Sequence, residues 1–285
     1  SLFFDPAEDD LLIANAFVQD AFAVSSALTV TGGLKVERLP YAGTSLLPEF
    51  RLGWKPAATT LLWGAVSRAV RSPTPFDITV REQADPIFLS GNPRFRTEKL
   101  TAFELGVRTQ PIRSVSFSGT AFYHVYDDLR TIELVPGPGL SLSWGNGIEG
   151  ASYGLEVWAD WRPTSWWTLS AGGTVLDQDF RFKPGASGIL GLAQLGSDRP
   201  YSAKLRSSMN LRPDLTLDLD FRAAGSLPDP AVPAFQELGG RLAWEATPGV
   251  TLAVTGTNLL NDTHQEYPGG DLIPRRVMAG LELAF

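Results

Sequence analysis

Alternation of apolar and polar residues with a period of two recurs along the whole chain. In "DLTLDLDFRAAG" (214–225), leucine, phenylalanine and alanine alternate with threonine, aspartate and arginine. Because successive side chains of a β-strand lie on opposite faces of the sheet, this pattern predicts a strand with one apolar and one polar face. About 13 segments of this kind occur, each of about 9–12 residues, the length of a tilted strand that crosses a membrane.

The connections between these segments differ strongly in length. Short ones lie near residues 26, 57, 112, 164, 213 and 248, and long ones span 72–99, 133–143, 183–199, 226–234 and 261–273. Short and long connections alternate, which predicts antiparallel strands with short turns at one rim and long loops at the other, as in an outer-membrane barrel. A soluble β-sandwich is the alternative, but its strands are shorter and its loops are not sorted in this way. The sequence therefore predicts an all-β fold, an antiparallel transmembrane β-barrel.

Composition excludes several other classes of protein. The 31 acidic and 24 basic residues give a net charge of −7, which argues against a nucleic-acid partner. The absence of cysteine excludes a disulfide scaffold and a thiolate metal site, and no apolar run is long enough for a membrane-spanning helix. Five tryptophans beside the short turns fit the aromatic girdle of a barrel, namely Trp54, Trp161, Trp166, Trp167 and Trp244.

Five motifs in a fixed order resemble the C-terminal part of TonB-dependent outer-membrane receptors. They are "AFVQDAFAVSSALTVTGGLKVER" (16–38), "LLPEFRLGWKP" (46–56), "SRAVRSPT" (67–74), "GNPRFRTEKLTAFELGVR" (91–108) and "TGTNLLNDTHQEY" (255–267). The fourth departs from the family pattern at Phe95, where leucine is usual. Together the motifs cover nearly the whole chain.

The last strand carries a further resemblance. The ending "MAGLELAF" (278–285) is similar to the outer-membrane β-signal, with Gly280, Leu283 and Phe285 at the expected places. The resemblance implies that the outer-membrane assembly machinery recognises this strand. Met278 departs from the pattern, because a polar residue usually precedes the glycine.

The resemblance also implies an architecture that is larger than this chain. Members of the family form 22-stranded barrels whose lumen is filled by an N-terminal plug. About 13 strands account for only part of such a barrel, and an odd number cannot close an antiparallel ring. We therefore expect residues 1–285 to be the C-terminal part of a single barrel domain, with the plug and the first strands missing.

The function implied by the resemblance is high-affinity active uptake of a scarce ligand across the bacterial outer membrane. The implied partners are the lipid bilayer, a TonB-type energy-coupling complex that acts through the missing plug, and a small-molecule metal chelate. Among metal chelates, we expect a ferric siderophore. Cobalamin, another metal chelate or an oligosaccharide remain open as ligands. A passive porin or channel is the main alternative function, and an adhesin is another.

The longest loop, 72–99, contains the candidate ligand-binding residues. It combines phenylalanines with arginines, and stacking together with charge-assisted hydrogen bonds would suit an anionic iron chelate. The candidates are Arg81, Phe88, Arg94, Phe95 and Arg96. The competing interpretation is a loop that is folded on its own phenylalanines.

No residue pattern indicates catalysis, a metal site or a cofactor. The sequence has no G-x-S-x-G elbow, so we expect no enzymatic activity. His124 and His264 each lack a second histidine at metal-ligand spacing, and we expect both to be ordinary polar residues. The charged residues fall mainly on the polar strand faces, which we expect to line a water-filled or plugged lumen.

Overall fold

The alternating segments form the strands of one large sheet. The computed structural model describes residues 1–284. Its strands are β1 (Leu2–Phe4), β2 (Ala14–Ala23), β3 (Leu28–Leu39), β4 (Gly43–Ala57), β5 (Thr60–Arg71), β6 (Val80–Ala84), β7 (Ile87–Ser90), β8 (Glu98–Ile112), β9 (Val115–Leu134), β10 (Leu140–Thr164), β11 (Trp167–Phe182), β12 (Tyr201–Arg212), β13 (Leu215–Ala224), β14 (Leu227–Pro228), β15 (Ala231–Val232), β16 (Phe235–Thr247), β17 (Val250–Thr257), β18 (Thr263–His264), β19 (Ile273–Pro274) and β20 (Arg276–Leu283).

Thirteen of these strands follow one another across the sheet in sequence order. The order is β2-β3-β4-β5-β8-β9-β10-β11-β12-β13-β16-β17-β20, and each strand pairs with the next in antiparallel fashion. The all-β antiparallel architecture and the number of about 13 strands are confirmed. Within residues 1–284, β2 and β20 are the two edges of the sheet and do not pair with each other.

The two faces of the sheet differ as the alternation predicts. One face, here called the outward face, carries apolar side chains that are largely exposed in this chain, such as Leu105 at 69% and Val277 at 66%. Glu104 and Glu282 are sequence neighbours of outward-facing residues and therefore lie on the inward face. An exposed apolar surface of this extent is costly in water and favourable against lipid.

The connections are sorted to the two ends, with one difference from the prediction. The short turns at 24–27, 58–59, 113–114, 165–166, 213–214 and 248–249 share one rim. The expected long loop at 133–143 shrinks to 135–139, because β9 has 20 residues and β10 has 25. Beyond the length needed to cross a bilayer, these two strands continue as a ladder that pairs Leu134 with Leu142. A second short connection at this end, 40–42, joins β3 to β4.

The remaining long loops carry small elements of their own. Loop 72–97 contains helix α1 (Pro75–Ile78) and strands β6 and β7. Strand β6 pairs with β1 and β7, and β7 pairs also with β10. Residues Leu192–Leu195 form a 3₁₀ turn, and the pairs β14–β15 and β18–β19 are short hairpins. None of the helical segments in residues 1–284 has the length and apolarity to cross a membrane.

Candidate ligand-binding surface at the long-loop end

The longest loop begins with a short helix that is held by its own aspartate. Pro75 opens α1 with a fixed φ, and Thr74 precedes it in an extended conformation. The carboxylate of Asp77 accepts hydrogen bonds from the backbone N–H and from the hydroxyl of Thr74, both at 2.9 Å. These bonds fix the point at which the chain leaves β5.

Two arginines from the barrel wall contact the same carboxylate. The side chain of Asp77 is fully buried, and its oxygens lie 3.1 Å from Arg71 and 3.3 Å from Arg130. Arg71 also forms a two-point contact with Glu98, at 2.7 and 2.9 Å. Burial alone would raise the pKa of Asp77, but the hydrogen bonds from Thr74 and Arg71 lower it below its ordinary value. The network joins both ends of the loop to the wall.

An apolar cluster packs against the charged network of Asp77, Arg71 and Arg130. Its buried members are Ile78, Val80, Phe95 and Trp144. Arg71 stacks over Phe95 at 5.7 Å from the ring centre, and Arg130 stacks over Trp144 at 4.6 Å. The loop is therefore a packed layer with its own core, in agreement with the competing interpretation given for its phenylalanines.

The structure places the five candidate residues in different environments. Phe95 is only 3% exposed, and Phe88 is partly buried on β7. Arg81 is partly buried on β6, and Arg96 lies 2.6 Å from Asp128. Arg94 is exposed, and its guanidinium makes no hydrogen bond within residues 1–284. Ligand contact by these residues stays a prediction, and Arg94 is the most available of them.

A second charged cluster fastens the wall beside this loop. Asp128, on β9, has a left-handed φ of 60° and is 1% exposed at its side chain. Besides Arg96, its carboxylate contacts Lys99 at 2.7 Å and Lys183 at 2.8 Å. Burial lowers the pKa of Lys183, but its hydrogen bonds to Asp127 and Asp128 outweigh burial and raise it. Strands β8 and β9, the end of loop 72–97 and the base of loop 183–200 thereby share one buried anion.

A third cluster connects the last long loops. Arg222 donates to Glu237 and, at 2.8 Å, to Glu266. His264 Nε2 lies 3.0 Å from Glu266, and the imidazole stacks on Phe235 at 4.5 Å. Burial would raise the pKa of Glu266, but His264 and Arg222 lower it.

The same cluster brings together three residues of the types that bind metal ions. Glu237, His264 and Glu266 each offer one ligand atom within 4.8 Å of the others. His264 and Glu266 are close in the sequence, but sequence reasoning missed the set because Glu237 is 27 residues before His264 and only one member is a histidine. Arg222 already pairs with both glutamates, so one of their two negative charges is balanced without a metal ion.

A cavity lies between the wall and loop 183–200. Its volume is about 620 Å³. The lining combines aromatic and aliphatic side chains with carboxylates and an amide, including Tyr126, Phe180, Leu192, Gln178, Asp198 and Asp229. Gln178 donates to Asp198 at 2.9 Å, which holds the loop against β11. The surroundings of this cavity are acidic, in contrast to the arginines of loop 72–97.

His124 and the assembly-signal residues are placed as follows. His124 lies on the inward face, 4.0 Å from Glu104 and beside the ring of Phe122 at 5.0 Å. Gly280 and Leu283 lie on the edge strand β20, opposite Ala253 and Val250. Phe285 lies outside the residues that the structure describes. The recognition of this ending by assembly machinery stays a prediction.

The sequence profile that matches this chain decides its family. The profile of the TonB dependent receptor-like β-barrel matches residues 7–259. The chain belongs to this family. TonB-dependent receptors of this kind are bacterial outer-membrane proteins, so the apolar outward face meets lipid. They are receptors and transporters rather than enzymes. A comparison with curated proteins finds no match.

Solved structures of siderophore receptors and of an iron transporter share the fold of this chain. The siderophore receptor PirA from Acinetobacter baumannii superposes with a TM-score of 0.75 at 16% identity, over 96% of this chain and 46% of its own. The ferric enterobactin receptor PfeA, from Pseudomonas aeruginosa, gives a TM-score of 0.73 at 16% identity, over 96% of this chain and 45% of its own. The FrpB iron transporter from Neisseria meningitidis gives 0.75 at 15% identity, over 96% and 46%. The chain thus spans about half the length of each of these proteins.

Proposed function

We propose that this TonB-dependent receptor barrel belongs to a receptor that binds a scarce metal chelate at the cell surface and imports it actively. A ferric siderophore is the ligand that we favour. The observation that carries the proposal is the rim of long loops, which is folded and fastened to the wall by three charged clusters, two of them centred on the buried carboxylates of Asp77 and Asp128. PirA is a siderophore receptor, PfeA is a ferric enterobactin receptor and FrpB is an iron transporter, which supports the same ligand class.

Fastened loops favour tight binding of a small ligand. A loop that is ordered before the ligand arrives loses little conformational entropy on binding, and this raises affinity. Asp77 and Asp128 hold loop 72–97 and its neighbours through five ion pairs with Arg71, Arg130, Arg96, Lys99 and Lys183. A passive pore has no need of such a surface, although a channel would share the same strands.

The charge of the ligand distinguishes two surfaces at this rim. Arg81 and Arg94 offer donors for an anionic chelate such as an iron tris-catecholate. The 620 Å³ cavity, with Asp198 and Asp229, suits a neutral or cationic chelate. We favour the arginine surface, because Arg94 is exposed and has no hydrogen-bonding partner among residues 1–284 for its guanidinium.

The proposal that uptake is coupled to energy rests on the resemblance to the family. In the whole receptor, a plug would occupy the lumen and contact the charged inward face of the sheet. A TonB-type complex would then act on the plug, and no residue of this chain would contact the complex. We propose that the native protein carries such a plug before the first strand.

The decisive experiment is uptake of radioactive iron by the source cells. Cells with and without the gene receive iron as an anionic tris-catecholate or as a cationic hydroxamate complex, before and after collapse of the proton-motive force. Gene-dependent uptake that stops on collapse supports active import, and the preferred chelate identifies the surface used. Gene-dependent uptake that continues after collapse would favour the passive channel.

Other ligands are tested by the same design. Cobalamin, nickel or copper chelates and oligosaccharides replace the iron chelate in the assay. Saturable, energy-dependent uptake of one of these solutes, without uptake of the iron chelates, would overturn the siderophore as ligand. The proposal of an active receptor would still stand. No gene-dependent uptake of any of these solutes would favour an adhesin.

A further inference from the structure

A cavity of about 490 Å³ lies on the inward face of the sheet, near the short-turn rim. Its lining includes Lys55, Arg108, Gln110, Ser116, Ser118 and Trp158. Arg108 follows the inward-facing Glu104 by four residues, so it lies on the same face. Arg108 pairs across the sheet with Ser118, and Ser118 pairs with Trp158. Arg108, Ser118 and Trp158 therefore form one row across the wall of the lumen, on three neighbouring strands.

This cavity and the candidate ligand-binding surface lie at opposite ends of the wall. Lys55 is two residues before the end of β4, and Thr59 of the following short turn also lines the cavity. On β8, Arg108 lies ten residues after Glu98, which contacts Arg71 at the long-loop end. Ten residues of a strand span about 33 Å. Short turns of outer-membrane barrels lie on the periplasmic side, so the cavity is at the periplasmic end of the lumen.

The cavity is lined by two cations that have no charged partner. Lys55 and Arg108 are exposed, and neither side chain forms an ion pair or a hydrogen bond within residues 1–284. No carboxylate of the described residues lines the cavity. Asp160, opposite Ser116 on the next strand, is outside the lining and accepts hydrogen bonds from Ser116 at 3.5 Å and Ser170 at 2.5 Å. The lining thus carries two positive charges and no negative one.

Trp158 adds an aromatic surface beside these cations. Its indole lies over Gly172, its cross-strand partner on β11, where a Cβ atom would overlap the ring. Glycine at position 172 therefore lets the indole lie against the wall. Trp158 is still 48% exposed, so part of the ring is open to the lumen. Ser116, Ser118 and Gln110 supply hydrogen-bonding groups around it.

We propose that this cavity is a weak exit site for an anionic aromatic ligand, namely a catecholate arm of an imported iron chelate. Lys55 and Arg108 donate charge-assisted hydrogen bonds to the catecholate oxygens, and the ring stacks on Trp158. The volume lies in the range of small-molecule sites. Two unpaired cations beside an aromatic ring match the charge and the rings of a tris-catecholate, whereas a cationic hydroxamate complex matches neither.

The position of the cavity explains why its binding should be weak. A solute that leaves the lumen on the periplasmic side passes this part of the wall last. Transport requires that a solute binds strongly enough to enter a site and weakly enough to leave it. The identity of the ligand rests on the proposed function, because the chelate is the solute that the receptor would import.

The test is equilibrium dialysis of the purified full-length receptor against a radioactive ferric tris-catecholate. The parent should show a tight class of sites, from the long-loop end, and a second, weaker class. The Lys55→Gln/Arg108→Gln variant should keep the tight class and lose about fivefold to tenfold of the weak affinity. Trp158→Leu should weaken the same class about threefold to tenfold. A cationic ferric hydroxamate should show no weak class.

Two double variants control for charge and for position. Lys55→Arg/Arg108→Lys keeps both charges and should retain most of the weak binding. Arg51→Gln/Arg241→Gln removes two cations from other parts of the inward wall, where each contacts a glutamate, and should leave the weak class unchanged.

Two results would overturn the exit site. A parent receptor without a weak class would assign Lys55 and Arg108 to contacts with the plug. The exit site also fails if the Lys55→Gln/Arg108→Gln variant folds, as judged by heat-modifiable gel mobility, and keeps its full weak affinity.

The proposed function is tested separately, by uptake into cells. Absence of energy-dependent uptake of the catecholate complex would count against the proposed function, while dialysis would still show whether the cavity binds this anion. Energy-dependent uptake by a parent that has no weak class would overturn the exit site alone.

Discussion

The carboxylate of Asp77 lies 3.1 Å from the guanidinium of Arg71, although the Asp77 side chain is completely buried. Arg71 is the last residue of β5, and Asp77 is the third residue of α1. The pair therefore joins the barrel wall to the root of the longest loop. A buried carboxylate is tolerated here because Thr74, Arg71 and Arg130 supply its hydrogen bonds.

Replacing Asp77 with alanine should release loop 72–97 without unfolding the sheet. Arg71 keeps its contact with Glu98, but Thr74 and Arg130 lose a charged acceptor, which costs about 2 kcal/mol. Opening of the loop should become about 30-fold more frequent. Limited proteolysis and amide hydrogen exchange across 72–97 measure this change. Asp85→Ala, an exposed aspartate in the same loop, should have no effect. Equal protection in Asp77→Ala and the parent would contradict the role given to this carboxylate.

Acid should open the same loop in a defined pH range. The folded pKa of Asp77 lies below its ordinary value of 3.8, so the ionised form stabilises the folded loop. This stabilisation is complete above the unfolded pKa and is lost as pH falls through the folded one. The loop should therefore resist proteolysis from neutral pH down to about pH 4, and its resistance should decline below that pH. Asp77→Asn removes the titrating group. If this variant keeps the full acid response of the parent, the transition does not belong to Asp77.

The two faces of the wall should respond oppositely to a new charge. Leu105 on β8 pairs with Ala121, and Gly106 pairs with Thr120, so Leu105 and Thr120 lie at the same depth on opposite faces. Leu105→Lys places a charge against lipid and should cost about 2–4 kcal/mol. Thr120→Lys places it in the lumen and should cost under about 1 kcal/mol. Urea unfolding from vesicles measures both, and equal costs would contradict the assignment of faces.

Most of the sheet could be predicted because its signal is local. Alternation within about ten residues shows which side of each strand meets lipid, and no distant partner is needed. The loop at 133–143 was predicted too long because its residues continue β9 and β10 beyond the bilayer, where lipid no longer requires apolar side chains. Ser141 and Ser143 are buried there by the pairing of β10 with β7 and β9.

The candidate site was less predictable because its contacts are distant in sequence. The sequence of loop 72–99 shows the residue types but not that Phe95 packs on Trp144, which belongs to another strand. Arg96 is likewise engaged by Asp128 on β9. Glu237 meets His264 and Glu266 only when β16 and the last long loop come together at the rim. Composition could not distinguish the exposed Arg94 from its fastened neighbours.

The arginines of loop 72–97 should therefore contribute unequally to ligand binding. Arg94→Ala removes an exposed donor and should weaken binding of an anionic ferric chelate about tenfold, the value of one charge-assisted hydrogen bond. Arg96→Ala should weaken it less and should also lower the stability of the loop, because the partner of Arg96 is Asp128. Intrinsic fluorescence titration of the purified receptor measures affinity, and hydrogen exchange measures loop stability. Arg68→Ala removes an exposed arginine from the outward side of β5 and should change neither. Full affinity in Arg94→Ala, together with saturable binding by the parent, would exclude Arg94 and direct attention to the acidic cavity beside loop 183–200.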